Sequence, residues 1–204
     1  MKKTNIINEV TLLHEMKRSL KDDAEFFSNN GKEAREIWVV REFLRRIKLP
    51  FEDSELVSQR QVSKIDVQFR FANFQIKEIT DPNIKRGDEV RAAYKKVRDA
   101  KTLEDTLGPG FLYDVPMISS AYQLVREKAS GAKYNGHKAK LDLLCYVTRT
   151  RASKISVDEV QLPELTALGW RSISCLIGDQ ATVLCIAHDA PLFLIEAAKN
   201  QVFS

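Results

Sequence analysis

"KIDVQFRFANFQIKEI", residues 64–79, decides how the chain is to be read. Its apolar and polar residues alternate, the period of a half-buried strand. Taken as a strand, residues 65–71 put Ile65, Val67, Phe69 and Phe71 on one face and Asp66, Gln68 and Arg70 on the other. With Ala72 and Asn73 as a two-residue turn, a second strand over 73–80 returns beside it. Residue 71 then pairs with 74, 70 with 75, 68 with 77 and 66 with 79. Directly opposed residues point the same way, so Asp66, Gln75 and Lys77 share one face. Asp66 and Lys77 become diagonal neighbours, roughly 7 Å apart at the backbone. A four-residue turn keeps the same parity, so the shared face does not depend on the register.

Two readings fit that face. One is a cross-strand ion pair on solvated surface, where polar residues normally alternate outward. The other is a metal site. A carboxylate and an amide oxygen are hard ligands suited to Mg²⁺, and a neighbouring lysine can position a water or steady developing charge. The same spacing also occurs at Glu15-Met16-Lys17 and Asp99-Ala100-Lys101. Those lie in predicted helices, where residues i and i+2 do not face each other.

Upstream, the pattern predicts a helix over 32–48 that stops before Pro50. Ile37, Val40, Phe43, Leu44 and Ile47 form its apolar stripe, and Glu36 falls inside that stripe. Glu42 falls on the opposite face with Arg35 and Arg46. A core-side carboxylate is costly unless paired or bound to a cation. Near a helix start it can instead reach solvent and favour the dipole. A helix packed on the hairpin would aim Glu36 at the Asp66 cluster.

The rest mixes helices and strands. Residues 7–27, 88–101 and 118–134 read as helices, as do "LPELTALGW" and "PLFLIEAAK". "ELVSQR" is a short strand and "LDLLCYVT" a buried one. "SISCLI" and "ATVLCIA" form a hairpin about "GDQ", where Gly178 opens the turn. "LGPGFLYDVP" is a long connector and "DPNIKRGD" a loop. The fold class is therefore α/β (α+β) with a mixed central sheet flanked by helices. Residues 1–30 are expected as an N-terminal helix and 31–204 as a single domain.

With 204 residues and 44% hydrophobic composition, the chain can bury a core unaided. The net charge of +4 says little alone, but its distribution is uneven. Residues 120–154 carry eight Lys or Arg against Glu127 and Asp142; from Ile155 onward there are six acids against Arg171 and Lys199. A basic middle suits a polyanion or a solvated face alike. Cys145, Cys175 and Cys185 are odd in number and sit in apolar runs, so reduced core thiols and a cytoplasmic protein are expected. With His14, His137 and His188 scattered, no zinc spacing is present. The basic start is followed by no apolar h-region, and no run is long enough to span a membrane.

"KYNGHKAK" (residues 133–140), with Tyr134, Lys138 and Lys140, is either a phosphate-touching loop or a solvated one. Arg91, Lys95 and Arg98 form a second row that can face phosphates, diluted by Asp88, Glu89 and Asp99. Asp142 reads as a structural cap or pair, and Trp38 and Trp170 as core or interface residues rather than base-stacking platforms.

A helix acid, an Asp on one strand and acid-any-Lys on the next resemble the PD-(D/E)xK pattern of restriction-endonuclease-like nucleases. More closely, "AREIWVVREFL", "DVQFRFANFQIKEI", "KLDLLCYV" and "LGWRSISCLIGDQATVLCIAHDAPLFL" resemble a bacterial family described as endonucleases, the domain of unknown function 1780. The resemblance spans about residues 24–195. It implies a restriction-endonuclease-like core and metal-dependent hydrolysis of phosphodiester bonds in DNA, with Mg²⁺ or Mn²⁺ as cofactor. It also implies site residues: Asp66 and Gln75 as side-chain metal ligands, Ile76 lending a carbonyl, Lys77 as the motif lysine and Glu36 as the helix acid. Ile65 replaces the motif's proline at no cost in ligands. Gln75 replaces a carboxylate and removes one negative charge, although some nucleases of that superfamily carry Gln there. A catalytically inactive nuclease-fold module that binds nucleic acid or protein is the alternative. A homodimer would suit a double-strand cutter.

Overall fold

The computed structural model describes residues 8–59, 63–81, 86–106, 120–148, 155–156 and 161–200. The elements are α1 (Glu9–Phe26), α2 (Lys32–Arg46), β1 (Leu56–Ser58), β2 (Val67–Phe69), β3 (Ala72–Ile79) and α3 (Arg86–Asp99). They continue with α4 (Tyr122–Ser130), β4 (Asp142–Val147), α5 (Leu162–Thr166), β5 (Ser172–Ile177), β6 (Gln180–Ile186) and α6 (Leu192–Lys199). Most boundaries fall within a few residues of the sequence reading. The whole "LGPGFLYDVP" connector, residues 82–85 of the "DPNIKRGD" loop, residues 118 and 119 of the expected helix and the ends of the chain lie outside the described residues.

The chain forms two compact units, Met1–Lys32 with Pro82–Asp114, and Glu33–Asp81 with Val115–Ser204. Residues 82–114, which the sequence reading grouped with 31–204, thus cluster with the N-terminal residues. In the first unit α1 packs on α3 through Leu13, Val97 and Ala100, with Met16, Leu20 and Leu103 around them. Asn8 caps α1, its side chain accepting from Val10 N at 3.1 Å. Lys17 Nζ donates to the Ala100 carbonyl at 2.7 Å.

The second unit is built on one six-stranded sheet in the order β1-β2-β3-β4-β5-β6. β1, β2 and β3 form an antiparallel meander. β4 pairs parallel to β3, β5 parallel to β4, and β6 antiparallel to β5. β4 and β5 are buried on both faces, which is why β4 reads as an apolar run; β5 buries Ser172 and Ser174 beside its apolar residues. Their residues alternate between two cores. Leu143, Cys145, Val147, Ile173, Cys175 and Ile177 meet α4 and α5 through Val125, Ala129 and Leu165. Leu144 and Leu176 meet α2 and α6 through Val40, Phe43, Leu44 and Leu194. Gly178 turns β5 into β6 at φ +54, a backbone that favours glycine.

The β2–β3 turn is not where the sequence placed it. Val67 pairs with Phe74, Gln68 with Asn73 and Phe69 with Ala72, so the turn is Arg70-Phe71 and the register is shifted by four residues. Ala72 is fully buried, and the Asn73 amide donates to Asp142 Oδ2 at 2.8 Å. These tertiary contacts hold Ala72 and Asn73 in β3. Phe71, expected on the core face, is instead a turn residue at 87% exposure. A shift of four keeps parity, so Asp66 still lies on the face that Gln75 and Lys77 share.

Candidate active site

β3 alternates between the two cores. Phe74 and Ile76 face α2 and α6, and Ile79 faces α4. Gln75 and Lys77 therefore belong to the α4 face. Asp66, one residue before β2, lies beside them. Its amide donates to the Phe74 carbonyl at 2.8 Å, which fixes the backbone at the strand entrance.

The carboxylate of Asp66 accepts from the Ile76 amide at 2.8 Å through Oδ2. The same oxygen accepts from the Gln75 side-chain amide. Gln75 Nε2 also donates to the Ile76 carbonyl at 3.2 Å. One buried amide nitrogen thus stands between a carboxylate oxygen and a backbone carbonyl oxygen.

Lys77 does not pair with Asp66. Its Nζ donates to Tyr134 Oη at 2.8 Å and lies 4.7 Å from that ring's centroid. Tyr134 closes a short 3-10 turn, Ala132–Tyr134, that follows α4. Its ring packs on Trp170 at 5.6 Å. Trp170 in turn donates from Nε1 to the Ala129 carbonyl at 2.8 Å. The lysine is therefore aimed by a rigid aromatic pair and not by a carboxylate. Tyr134 carries only a weak sequence signal, an aromatic inside a basic loop.

Those oxygens can be tested against Mg²⁺ or Mn²⁺. Asp66 Oδ2 and the Ile76 carbonyl converge on the point that Gln75 Nε2 fills. Gln75 would have to turn its amide to offer Oε1 there. The donor set is then one carboxylate, one carbonyl and one amide oxygen. Among the described residues no three His, Cys, Asp or Glu side chains group to hold a metal. The set fits a hard, oxygen-preferring cation that keeps several waters and is weakly held.

Glu36 is not brought to this group. α2 covers the opposite face of the sheet, and its direction takes Glu36 away. Trp38 packs edge-on to Tyr146 at 5.6 Å, and Phe43 packs on Phe74 at 6.0 Å. Tyr146 pairs with Glu78 and Phe74 with Asp142, so the start of α2 lies over the far ends of β3 and β4. Glu36 precedes Trp38 and sits at that far end, across the sheet from Gln75. The helical wheel found its tilt toward the core but not which face the helix would cover.

The expected phosphate contacts divide. Arg91, Lys95 and Arg98 are exposed on α3, in the first unit. Arg91 pairs with Asp88, and Arg98 with Asp99 at 2.7 Å, which lowers the Asp99 carboxyl and raises the guanidinium. Lys140 is exposed. Lys138 is not a surface residue. It is buried, with Nζ 5.7 Å from the Trp170 ring. The loop folds into a 3-10 turn that turns this lysine inward.

Asp142 is structural, as its sequence position suggested. It is fully buried and accepts from Asn73 N, from Ser172 Oγ at 2.8 Å and from Arg171 Nε at 3.1 Å, with a further bond from Arg171 Nη2. Arg171 Nη2 also donates to the Phe71 carbonyl at 3.0 Å. The pair clamps the β2–β3 turn to the starts of β4 and β5.

Residues 8–204 match the family model described as "Putative endonuclease, protein of unknown function (DUF1780)". The chain belongs to that family. Among curated proteins, none matches. One solved structure is similar over 93% of this chain and 92% of its own, at 24% identity and a TM-score of 0.51. It is a protein of unknown function from Pseudomonas aeruginosa strain PAO1, described as monooxygenase superfamily. At that identity it shows the fold alone. Among the described residues no helix is long and apolar enough to cross a membrane.

Proposed function

We propose that this member of the family is a divalent-cation-dependent endonuclease that hydrolyses phosphodiester bonds in DNA. It would work from the β3 face that carries Asp66, Gln75 and Lys77. The observation that carries the reading is the convergence of Asp66 Oδ2 and the Ile76 carbonyl on one point, the Gln75 Nε2 position, with Lys77 on the same sheet face as Gln75. Asp66, the Ile76 carbonyl and a turned Gln75 would hold Mg²⁺ or Mn²⁺. Such a cation polarises a phosphate and acidifies a bound water.

The chain's own residues supply the rest. Asp66 is oriented by the Ile76 amide, so its carboxylate has one defined rotamer to present. Lys77 brings a positive charge whose position Tyr134 sets. A preorganised ammonium aimed at developing negative charge needs no reorganisation when that charge appears.

The second reading is a nucleic-acid-binding module without catalysis. The Gln75 amide favours it, because the nitrogen satisfies both oxygens that a cation would need.

Nicking of supercoiled plasmid with Mg²⁺ or Mn²⁺ decides between them. Metal-dependent nicking that falls at least about 100-fold in Asp66→Ala and in Lys77→Ala supports hydrolysis at this site. Nicking by both variants at the wild-type rate removes the site. No nicking by the wild type with either metal leaves binding as the role.

A further inference from the structure

Three lysines surround Tyr134. Lys77 Nζ lies 4.7 Å from the ring centroid, Lys133 Nζ 5.5 Å and Lys64 Nζ 5.9 Å. They come from three separate parts of the chain: the stretch before β2, β3 itself, and the turn after α4. A fourth ammonium, Lys138, lies behind them over the Trp170 ring. Among the described residues none of the four makes an ion pair with a carboxylate. The carboxylate on this face, Asp66, is taken up by Gln75 and the Ile76 amide.

A fold gains nothing by gathering like charges unless something of opposite sign joins them. The ring offsets part of the repulsion by cation–π attraction, but it does not neutralise three charges. Tyr134 adds a second sign. Its hydroxyl oxygen accepts from Lys77, and its own hydrogen meets no acceptor among the described residues. Tyr134 is a buried residue, and a phenol O–H in such a place normally finds an acceptor. An anionic oxygen among the lysines would supply it.

We propose that Lys64, Lys77, Lys133 and Tyr134 form a phosphate-holding site for the nucleic-acid backbone. Lys64 and Lys133 contribute charge, and the Tyr134 hydroxyl donates to a phosphate oxygen while orienting Lys77. The site deepens the nuclease reading by naming what holds the substrate strand beside Asp66, and it rests on that reading only for the identity of the strand as substrate. Lys77 belongs to the strand motif, and Lys133 and Tyr134 to the basic loop "KYNGHKAK"; Lys64 joins them only through the fold. Lys138 supports it electrostatically from behind.

The test is equilibrium binding of a short fluorescein-labelled DNA duplex by polarisation, in EDTA so that no cutting occurs, across a salt series. Each phosphate contact contributes about 0.9 to the salt slope, so each lysine removed should weaken binding roughly 8-fold near 0.1 M salt. Lys64→Ala/Lys133→Ala should lose about two units of slope. Both lysines are exposed, so the variant should melt with the wild type. Lys64→Arg/Lys133→Arg should restore the slope. Tyr134→Phe keeps the ring and the charge, and should weaken binding a few-fold with the slope unchanged. Lys21→Ala/Lys199→Ala removes equal charge elsewhere and serves as control.

If the Lys64/Lys133 double variant binds like that control, the proposal is overturned. If inorganic phosphate raises the melting temperature of the wild type but the duplex does not bind, the site takes free phosphate and the proposal is again overturned. Plasmid nicking separates the two ideas. Wild-type nicking with unchanged duplex binding in the double variant removes only the phosphate site. The expected binding loss without any wild-type nicking removes only the hydrolytic reading.

Discussion

The side-chain amide of Gln75 donates to Oδ2 of Asp66. With the Ile76 amide, which donates to the same oxygen at 2.8 Å, that bond engages Oδ2 without a cation. It also makes Gln75 the residue through which metal affinity can be changed. In Gln75→Glu two carboxylates would face each other in place of the amide that now joins them. Like charges at that range repel, and one of them takes up a proton. The variant should melt below the wild type in EDTA. Mg²⁺ or Mn²⁺ should then raise its melting temperature more steeply than that of the wild type, because occupancy stabilises by about 2.7 kcal/mol at a hundredfold excess over Kd. Equal metal responses in the two proteins would show that no cation enters between residues 66 and 75.

The Asp142–Arg171 pair should rank among the costliest to break in this sheet. Removing one member leaves an uncompensated buried charge, worth about 3–5 kcal/mol. Urea unfolding of Asp142→Ala and of Arg171→Met should each show a loss in that range. Asp142→Ala/Arg171→Met should cost clearly less than the two losses added, since neither charge is then stranded. Additive losses would mean the two residues act separately.

Arg70 sits at φ +50 in the β2–β3 turn. Its side chain offsets that backbone. It bonds Glu55 at 2.7 Å and the Pro50 carbonyl at 3.1 Å, and lies 4.8 Å over the Phe69 ring. Glycine adopts positive φ without strain, whereas a β-branched residue resists it. Arg70→Gly should stay within about 1 kcal/mol of wild type, because relieved backbone strain balances lost surface contacts. Arg70→Val should lose about 1–3 kcal/mol. Chemical denaturation of the two variants reads the difference, and equal losses would mean that the side-chain contacts alone matter.

The cysteines should be chemically silent in the native protein. Burial pushes the Cys145 thiol up to about 12 and the Cys185 thiol up to about 11, and raises that of Cys175 as well. Thiolate is the reactive form, so Cys145 would be ionised in about one molecule in ten thousand at pH 8. An Ellman titration should count three thiols in denaturant and none rapidly without it. The sign for stability follows from proton binding. The folded state keeps protons that unfolded thiols release above their ordinary value near 9. The thiols' contribution is therefore complete below that value and is lost as pH rises toward about 11 and 12. A fast-reacting thiol at pH 8 would contradict the burial.

Period and composition alone determined the elements of this protein. Alternation in 64–79 puts Gln75 and Lys77 on one face, and Asp66 joins them under any even shift of register, so the four-residue difference in pairing left that result intact. The apolar run at 142–147 marked a strand covered on both sides, and 172–177 was marked only as a hairpin strand. Gly178 marked a turn. These are local properties, written by side-chain period and backbone preference. Register and partners were decided elsewhere in the chain. Asp142 and Arg171, 69 and 100 residues from the groups they bond at the turn, fix Asn73 in β3 and the turn at Arg70-Phe71. Packing of α2 on the far face removed Glu36 from the site, since a wheel records the apolar side of a helix but not which surface it meets. The same holds for Lys138, turned inward, and for Tyr134, which becomes the partner of Lys77 across 57 residues. Such contacts depend on the closing of long loops and the filling of a shared core, and no local period encodes them.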